Sequence, residues 1–371
     1  MAKFIFASTK DSDMHYAVKT PITSTFFLLK IRGKKLAFLD KRDSGLLRPS
    51  LRIKEIPLEP LAEEAKRLKF HTSDRNKLAY VIFKKYKLLG RKVQVPIHFP
   101  LDMADFLRAQ GAKLIPTFPF FPQRAVKTKG EIGCIKECLT HTKTAFRIIE
   151  SILRQSKIGR NRIYYRDKII TSEFLKQEAE YALIEKGMFD MLGMIISTGG
   201  QTAIPHRIGA GPILPHQPIV CDIFPRHRAS GYFSDMTRTY VKGKPSPEII
   251  KMYNVVLKAQ SAAIKKIRAG IPAKEIYDIA AKEIIKAGFD VGEIGLVHGL
   301  GHGVGLDIHE KPNLKADSED ILKAGNVITI EPGLYYPKIG GVRIEDIVLV
   351  TKTGCRNLTN YPSELLIIMN P

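Results

Sequence analysis

Over the first third of the chain, short apolar runs alternate with amphipathic stretches. TFFLLKI, KLAFLD, LAYVIFKKY and KVQVPI read as strand-like runs, LEPLAEEAKRLKF and PLDMADFLRAQGA as helices. That alternation predicts a small α/β unit. Residues 116–122, PTFPFFP, are rich in proline and aromatic residues and read as a connector. Beyond it the period lengthens. Ile132, Ile135, Phe146, Ile149 and Ile152 predict a long amphipathic helix over residues 130–155. A second helix is expected near 172–187. A third has Ser246 as N-cap, Pro247 in its first turn and Gly270 past its end. A fourth follows Pro272 and stops at Gly288. Strand-like runs lie among them: PIVCDIF, GYFSDMTRTYV, NVITIEPG and VRIEDIVLV. Helix pairs alternate with strand pairs twice, which predicts an α+β region with a duplicated layout. The expected domains are therefore residues 1–124 and 125–371.

Composition adds exclusions. The chain has 371 residues, 44% hydrophobic and 26% charged, a globular balance rather than a disordered or collagen-like one. No stretch approaches the roughly 20 apolar residues of a membrane span. The N-terminus lacks a sustained apolar region and a small-residue cleavage site, so a cytoplasmic protein is expected. Four cysteines, Cys134, Cys138, Cys221 and Cys355, are too few for a disulfide framework and fit a reducing compartment. Cys134 and Cys138 stand four apart on a predicted helix, where thiols pack as small hydrophobes; a metal or redox pair is the alternative. The net charge is +22, with 25 basic and 11 acidic residues in positions 1–124. Such an excess suits a nucleic-acid binder or simply a basic surface. The remainder is more nearly balanced, with 34 basic and 26 acidic residues.

The acidic residues of the second region carry the chemistry. Asp222 lies in IVCDIF, Asp235 in GYFSDMTRT, Glu331 between ITI and PG, and Glu345 in VRIEDIVLV. Carboxylates are poor strand formers and costly to bury without a compensating charge. Histidines add to them: LVHGLGHGVGLDIHEKP holds His298, His302 and His309, with glycines at 299, 301, 303 and 305. Glycine lets the backbone approach closely there. His309-Glu310 is not the zincin pattern, because no second histidine follows at the required spacing. Four carboxylates and one imidazole suit a pair of divalent ions. The oxygen-rich set favours Mn²⁺, Mg²⁺ or Co²⁺, and the imidazole keeps Zn²⁺ and Fe²⁺ open. Two such ions acidify a water and polarise a carbonyl, which is chemistry for amide hydrolysis.

SGYFSDMTRT, GLGHGVGLDIHE, TIEPG and GVRIED resemble the pita-bread metallopeptidases, and among them the Xaa-Pro peptidase branch of prolidase and the Xaa-Pro aminopeptidases. The resemblance implies a pita-bread catalytic domain over 125–371, preceded by a smaller creatinase-type α/β domain. It implies five ligands for two divalent ions, most often Mn²⁺: Asp222 for the first, Asp235 bridging, His302, Glu331 for the second, and Glu345 bridging. It also implies substrate-side roles for His206, His298 and His309, a proton-transfer role for Glu331, and a steering role for Arg343. One departure stands out. The family reads Asp-x-Gly at the first ligand, whereas here Asp222-Ile223-Phe224 stands, and Asp235 follows thirteen positions later rather than eleven. The extra residues are expected to lengthen the loop PRHRAS, with Arg226, His227 and Arg228 read as solvated. Tyr232 and Tyr335 read as packing residues.

The implied activity is hydrolysis of the Xaa-Pro bond at a peptide N-terminus. The aminopeptidase is expected ahead of the dipeptidase, because no basic residue stands out as dedicated to a free carboxylate. A methionine aminopeptidase fits less well, because of the long N-terminal region. A metal-free creatinase fits less well too, because all five ligand positions are filled. A pita-bread protein that binds nucleic acid or histones is the more distant reading. A homodimer is implied by the resemblance alone.

Overall fold

In the computed structural model residues 1–363 and 365–369 are described, and the chain divides into two compact units, Met1–Arg124 and Ala125–Pro371. The first holds a six-stranded mixed sheet in the order Ile53–Pro57, Lys34–Leu39, Phe26–Ile31, Ala2–Ala7, Lys92–Pro96, Lys113–Thr117. Alternating side chains put Phe4, Phe27, Leu29 and Phe38 on one face, against the helices Asp74–Lys85 and Leu101–Ala109. Ile5, Phe26, Leu28 and Leu39 line the other face, with Met14, Phe120 and Phe121. Phe120 and Phe121 of the connector are therefore part of this unit's core, whereas Phe118 is exposed.

One expectation is corrected here. LAYVIFKKY is not a strand but the body of the helix Asp74–Lys85. Its β-branched and aromatic residues favour a strand locally. Burial of Asn76, Ala79, Ile82 and Phe83, spaced three to four apart, shows that the helical period won.

The second unit contains the four helices expected. Lys129–Gln155 opens with a capping box in which the Thr128 and Glu131 side chains each bond the other's backbone N–H. Ser172–Ile184 stops three residues short of the expected end. In Pro247–Lys266 the Ser246 side chain accepts from Ile249 N; Ala273–Lys286 follows Pro272. A four-stranded sheet orders Ile195–Thr198, Pro218–Ile223, Met236–Lys242 and Leu366–Ile368. A five-stranded sheet orders Glu310–Leu314, Gly301–Gly303, Val327–Ile330, Asp346–Val350 and Cys355–Asn357. Gly333–Tyr336 and Gly340–Arg343 form a separate two-stranded ribbon. The last two helices cover the five-stranded sheet and the ribbon through Met252, Val256, Ile328, Leu334 and Val342.

Two runs expected as continuous strands are broken. NVITIEPG divides at Glu331-Pro332, and VRIEDIVLV at Ile344-Glu345. At each break the chain leaves one sheet for another. Glu331 N then bonds Leu300 O, and Glu345 N bonds Thr237 O. Among the described residues no helix is long and apolar enough to cross a membrane.

Candidate active site

Asp222 sits in the strand Pro218–Ile223, directly opposite Thr237. Asp235 immediately precedes the strand Met236–Lys242. His302 is the centre of the three-residue strand Gly301–Gly303. The glycines beside it have a steric reason: a Cβ on Gly301 would overlap Thr329 O, and one on Gly303 would overlap Lys311 O. Only bare backbone fits this close to both neighbouring strands. Glu331 and Glu345 occupy the two strand breaks, where a side chain can turn away from the regular pleat.

These five residues, with His206, His298, His309 and Arg343, all line one cavity of about 490 Å³. The nine residues singled out in the sequence thus come together. Ligand atoms of Asp235, His302 and Glu345 lie within 4.8 Å of one another. His302 Nδ1 is 3.2 Å from Gly303 O, so it carries the hydrogen. Its Nε2 is then aimed at Glu331 Oε1, 3.3 Å away, and Asp235 Oδ2, 3.7 Å away. Thr329 Oγ1 accepts from His302 N at 3.0 Å and reaches Glu331 Oε1 at 3.5 Å.

The electrostatics divide the carboxylates into two groups. Burial first, and then the neighbouring carboxylates, push Asp235 and Glu345 well above the ordinary carboxylate range. Asp222 is raised by burial despite the Arg343 charge. Burial also works against ionised Glu331, but the His302 hydrogen bond and charge hold its pKa at about 2. The same pairing raises His302 against the effect of burial. Two buried oxygens, Asp222 Oδ1 and Glu345 Oε1, have no hydrogen-bond partner. Buried carboxylate oxygens are rarely left so. Orphaned acceptors amid mutually repelling carboxylates, beside an imidazole whose Nε2 faces two of them, are what a divalent cation would satisfy.

Behind this cluster runs a chain of hydrogen bonds. Arg343 Nη2 donates to Asp222 Oδ2 at 2.6 Å, Nη1 to Tyr335 Oη at 2.6 Å, and Nε to Thr237 Oγ1 at 3.3 Å. Thr237 Oγ1 donates to Glu345 Oε2 at 2.8 Å. His298 Nδ1 lies 2.7 Å from Gly299 O, which only accepts, so Nε2 accepts from the Tyr335 hydroxyl at 2.9 Å. Both nitrogens of His298 are therefore committed, and burial lowers its pKa. His309 stands edge-on to His302, ring centroids 4.2 Å apart, and burial lowers its pKa to about 4. His206 is exposed at the rim.

Several partners escaped the sequence reading. Tyr335 is not merely packed; its hydroxyl joins His298 to Arg343. Thr237 had a readable signal, since it stands two residues past Asp235 at same-face spacing. Asn313 and Lys315 also line the cavity. Tyr232 is buried, as a packing residue should be, and its hydroxyl donates to Glu131 Oε1 at 2.8 Å. The loop PRHRAS is more ordered than a solvated insertion. Arg226–His227 pairs antiparallel with Met188–Phe189, Arg226 Nε donates to Gly231 O, and Arg228 stacks 4.0 Å over the Phe189 ring. Cys134 and Cys138 are free thiols, and Cys138, buried against Tyr232 O, has its pKa pushed up to about 12.

Residues 133–352 match Metallopeptidase family M24. The chain belongs to that family. It is 39% identical over 245 residues to the Xaa-Pro dipeptidase of Pyrococcus furiosus, and 38% over 245 to that of Pyrococcus horikoshii. Each alignment spans 66% of this chain and 65% of the relative, so slightly less than two thirds of either curated protein is matched. Among solved structures, an Xaa-Pro dipeptidase from Bacillus anthracis superposes with a TM-score of 0.80 at 25% identity, covering 99% of this chain and 94% of that one. The prolidase from Pyrococcus horikoshii gives 0.79 at 26% identity, covering 98% and 95%. This M24 chain thus has the two-domain architecture of those pita-bread structures.

Proposed function

We propose that this M24 chain is a dinuclear-metal peptidase that hydrolyses Xaa-Pro bonds, and that it is a dipeptidase. The observation that carries the reading is the convergence of four buried carboxylates and His302 on one cavity, with two carboxylate oxygens left without partners. The names of the curated relatives move the weight from the aminopeptidase expected from the sequence to the dipeptidase. Complete retention of the ligand set speaks against a non-catalytic nucleic-acid or protein binder.

Asp222, Asp235, His302, Glu331 and Glu345 would hold the ions, with Mn²⁺ favoured by the oxygen donors and Co²⁺, Zn²⁺ or Fe²⁺ compatible with the imidazole. When bound, the ions supply Lewis acidity toward the scissile carbonyl and lower the pKa of the attacking water. The rest falls to the protein. Glu331 accepts a proton from that water at a carboxylate oxygen. It passes the proton to the departing proline nitrogen, which carries no hydrogen of its own in the peptide. His309 is neutral at pH 7, so it offers a hydrogen-bond donor to the developing oxyanion without adding charge. His206 lines the same cavity and is the second candidate for that contact. Arg343 and Tyr335 hold Asp222 and His298 in place. A soluble cytoplasmic homodimer remains part of this reading and is checked by sedimentation and fractionation.

The test is a panel of Xaa-Pro dipeptides and Xaa-Pro-Yaa tripeptides, assayed with Mn²⁺, Co²⁺, Zn²⁺ or chelator. Metal-dependent cleavage of dipeptides alone is the expected result. Cleavage of tripeptides would restore the aminopeptidase, and DNA retention at low salt without any hydrolysis would overturn the enzyme reading.

A further inference from the structure

A dipeptide carries a free α-carboxylate, and that group has to lie in a cavity already crowded with four carboxylates. Among the described lining residues, the only cations besides histidines are Arg343 and Lys315. Arg343 is committed: its three guanidinium nitrogens bond Asp222, Tyr335 and Thr237. Lys315 is different. In the strand Glu310–Leu314, Asn313 stands opposite His302 and Leu314 opposite Gly301. Leu314 is fully buried in the core. Asn313, on the strand's opposite face, and Lys315, the first residue past its end, both line the cavity. The Lys315 Cβ lies only 3.4 Å from where a Cβ on Gly299 would stand, so its stem starts against the His298-Gly299 wall. Its ammonium pairs with Asp317 at 3.2 Å, with the two side chains 51% and 78% exposed. A pair so open to water is weak and readily exchanged for another carboxylate.

The geometry points to Lys315 as the residue that receives the substrate's free α-carboxylate and so sets the preference for dipeptides. This rests on the dipeptidase reading above. It also answers the reason for expecting an aminopeptidase, since a basic residue near the ligands becomes visible only once the strand is paired with Gly301–Gly303.

The test compares the metal-loaded wild type with Lys315→Met and Lys315→Arg on Ala-Pro and on Ala-Pro amide, which lacks the carboxylate. Inhibition by proline and by prolinamide is measured in parallel. Wild type should prefer Ala-Pro over its amide by about tenfold at low salt, the scale of one charge-assisted hydrogen bond. Lys315→Met should remove that preference through KM, leave kcat and amide cleavage unchanged, and weaken inhibition by proline but not by prolinamide. Lys315→Arg should keep most of it. A preference that survives in Lys315→Met overturns the Lys315 assignment alone, whereas a wild type that cleaves both substrates equally overturns the dipeptidase reading with it. A wild type inert toward every Xaa-Pro substrate overturns the functional reading on which it rests.

Discussion

Glu345 and Asp346 are consecutive, both carboxylates, and both nearly inaccessible to water, at 2% and 4% exposure. Their surroundings are opposite. Asp346 is fully answered: Arg238 Nη2 donates to one oxygen at 2.7 Å and Asn357 Nδ2 to the other at 2.8 Å. Arg238 is itself saturated by the carbonyls of Thr237, Glu345, Tyr361 and Pro362. Glu345 has one donor, Thr237, and one bare oxygen, and its nearest charges are other carboxylates. The two consecutive side chains point to opposite sides of an extended backbone. One side is a closed polar core, and the other leaves a carboxylate oxygen unsatisfied, as a proposed cation ligand would be. Burial of a carboxylate therefore does not mark a site; incomplete satisfaction does.

The largest effect should come from exchanging the two roles. Glu345→Gln is expected to reduce kcat by at least about 10³-fold and to lower bound metal, while the metal-free protein melts at a higher temperature because burial and the neighbouring carboxylates disfavour ionisation of the group it replaces. Asp346→Asn should leave metal content intact. Arg238→Met, which strands the Asp346 carboxylate, should cost about 3–5 kcal/mol, read as a fall of roughly 10 °C in melting temperature for a unit of this size. Metal loss in Asp346→Asn, or a lowered metal-free melting point in Glu345→Gln, would break the comparison.

Tyr335→Phe comes next. It removes the hydroxyl between His298 and Arg343, and should lower kcat/KM by about 10–100-fold with both ions retained by elemental analysis. The pH dependence of metal binding follows from His302. Glu331 and Asp235 raise its folded pKa above the ordinary 6.5, so the proton competes with the ion already somewhat above that pH. Affinity measured by calorimetry should thus weaken as pH falls from 8 toward 6, with protons released on binding. An affinity independent of pH in that window would contradict the pairing. The smallest effect concerns Cys138, whose thiol stays protonated and buried. Iodoacetamide at pH 8 should leave it unlabelled in the native protein and label it after unfolding, as read by mass spectrometry.

Much of this was legible along the chain because it depends on local chemistry. The helix starts at Ser246 and Pro272, and the long helix over 130–155, follow from capping residues and apolar period. The four carboxylates and the histidines of LVHGLGHGVGLDIHEKP stood out by residue type in apolar or glycine-rich surroundings, whereas His206 and Arg343 were singled out only by the resemblance to the pita-bread peptidases. Local preference failed where a partner decided. LAYVIFKKY has strand-forming residues, yet the sheet beside it needed a helical face. VRIEDIVLV reads as one strand, yet it changes sheets at Glu345.

The sequence by itself determined which side chains could bind a metal and in what order they occur. The tertiary structure decided which oxygens stay unsatisfied, that Tyr335 links His298 to Arg343, and that Lys315 faces the cavity while Arg343 is taken. The physical reason is that satisfaction of a buried polar atom is set by groups far away in the chain. Thr237 and Glu345, or Asp222 and Arg343, are more than a hundred residues apart and acquire their meaning only when the strands pair.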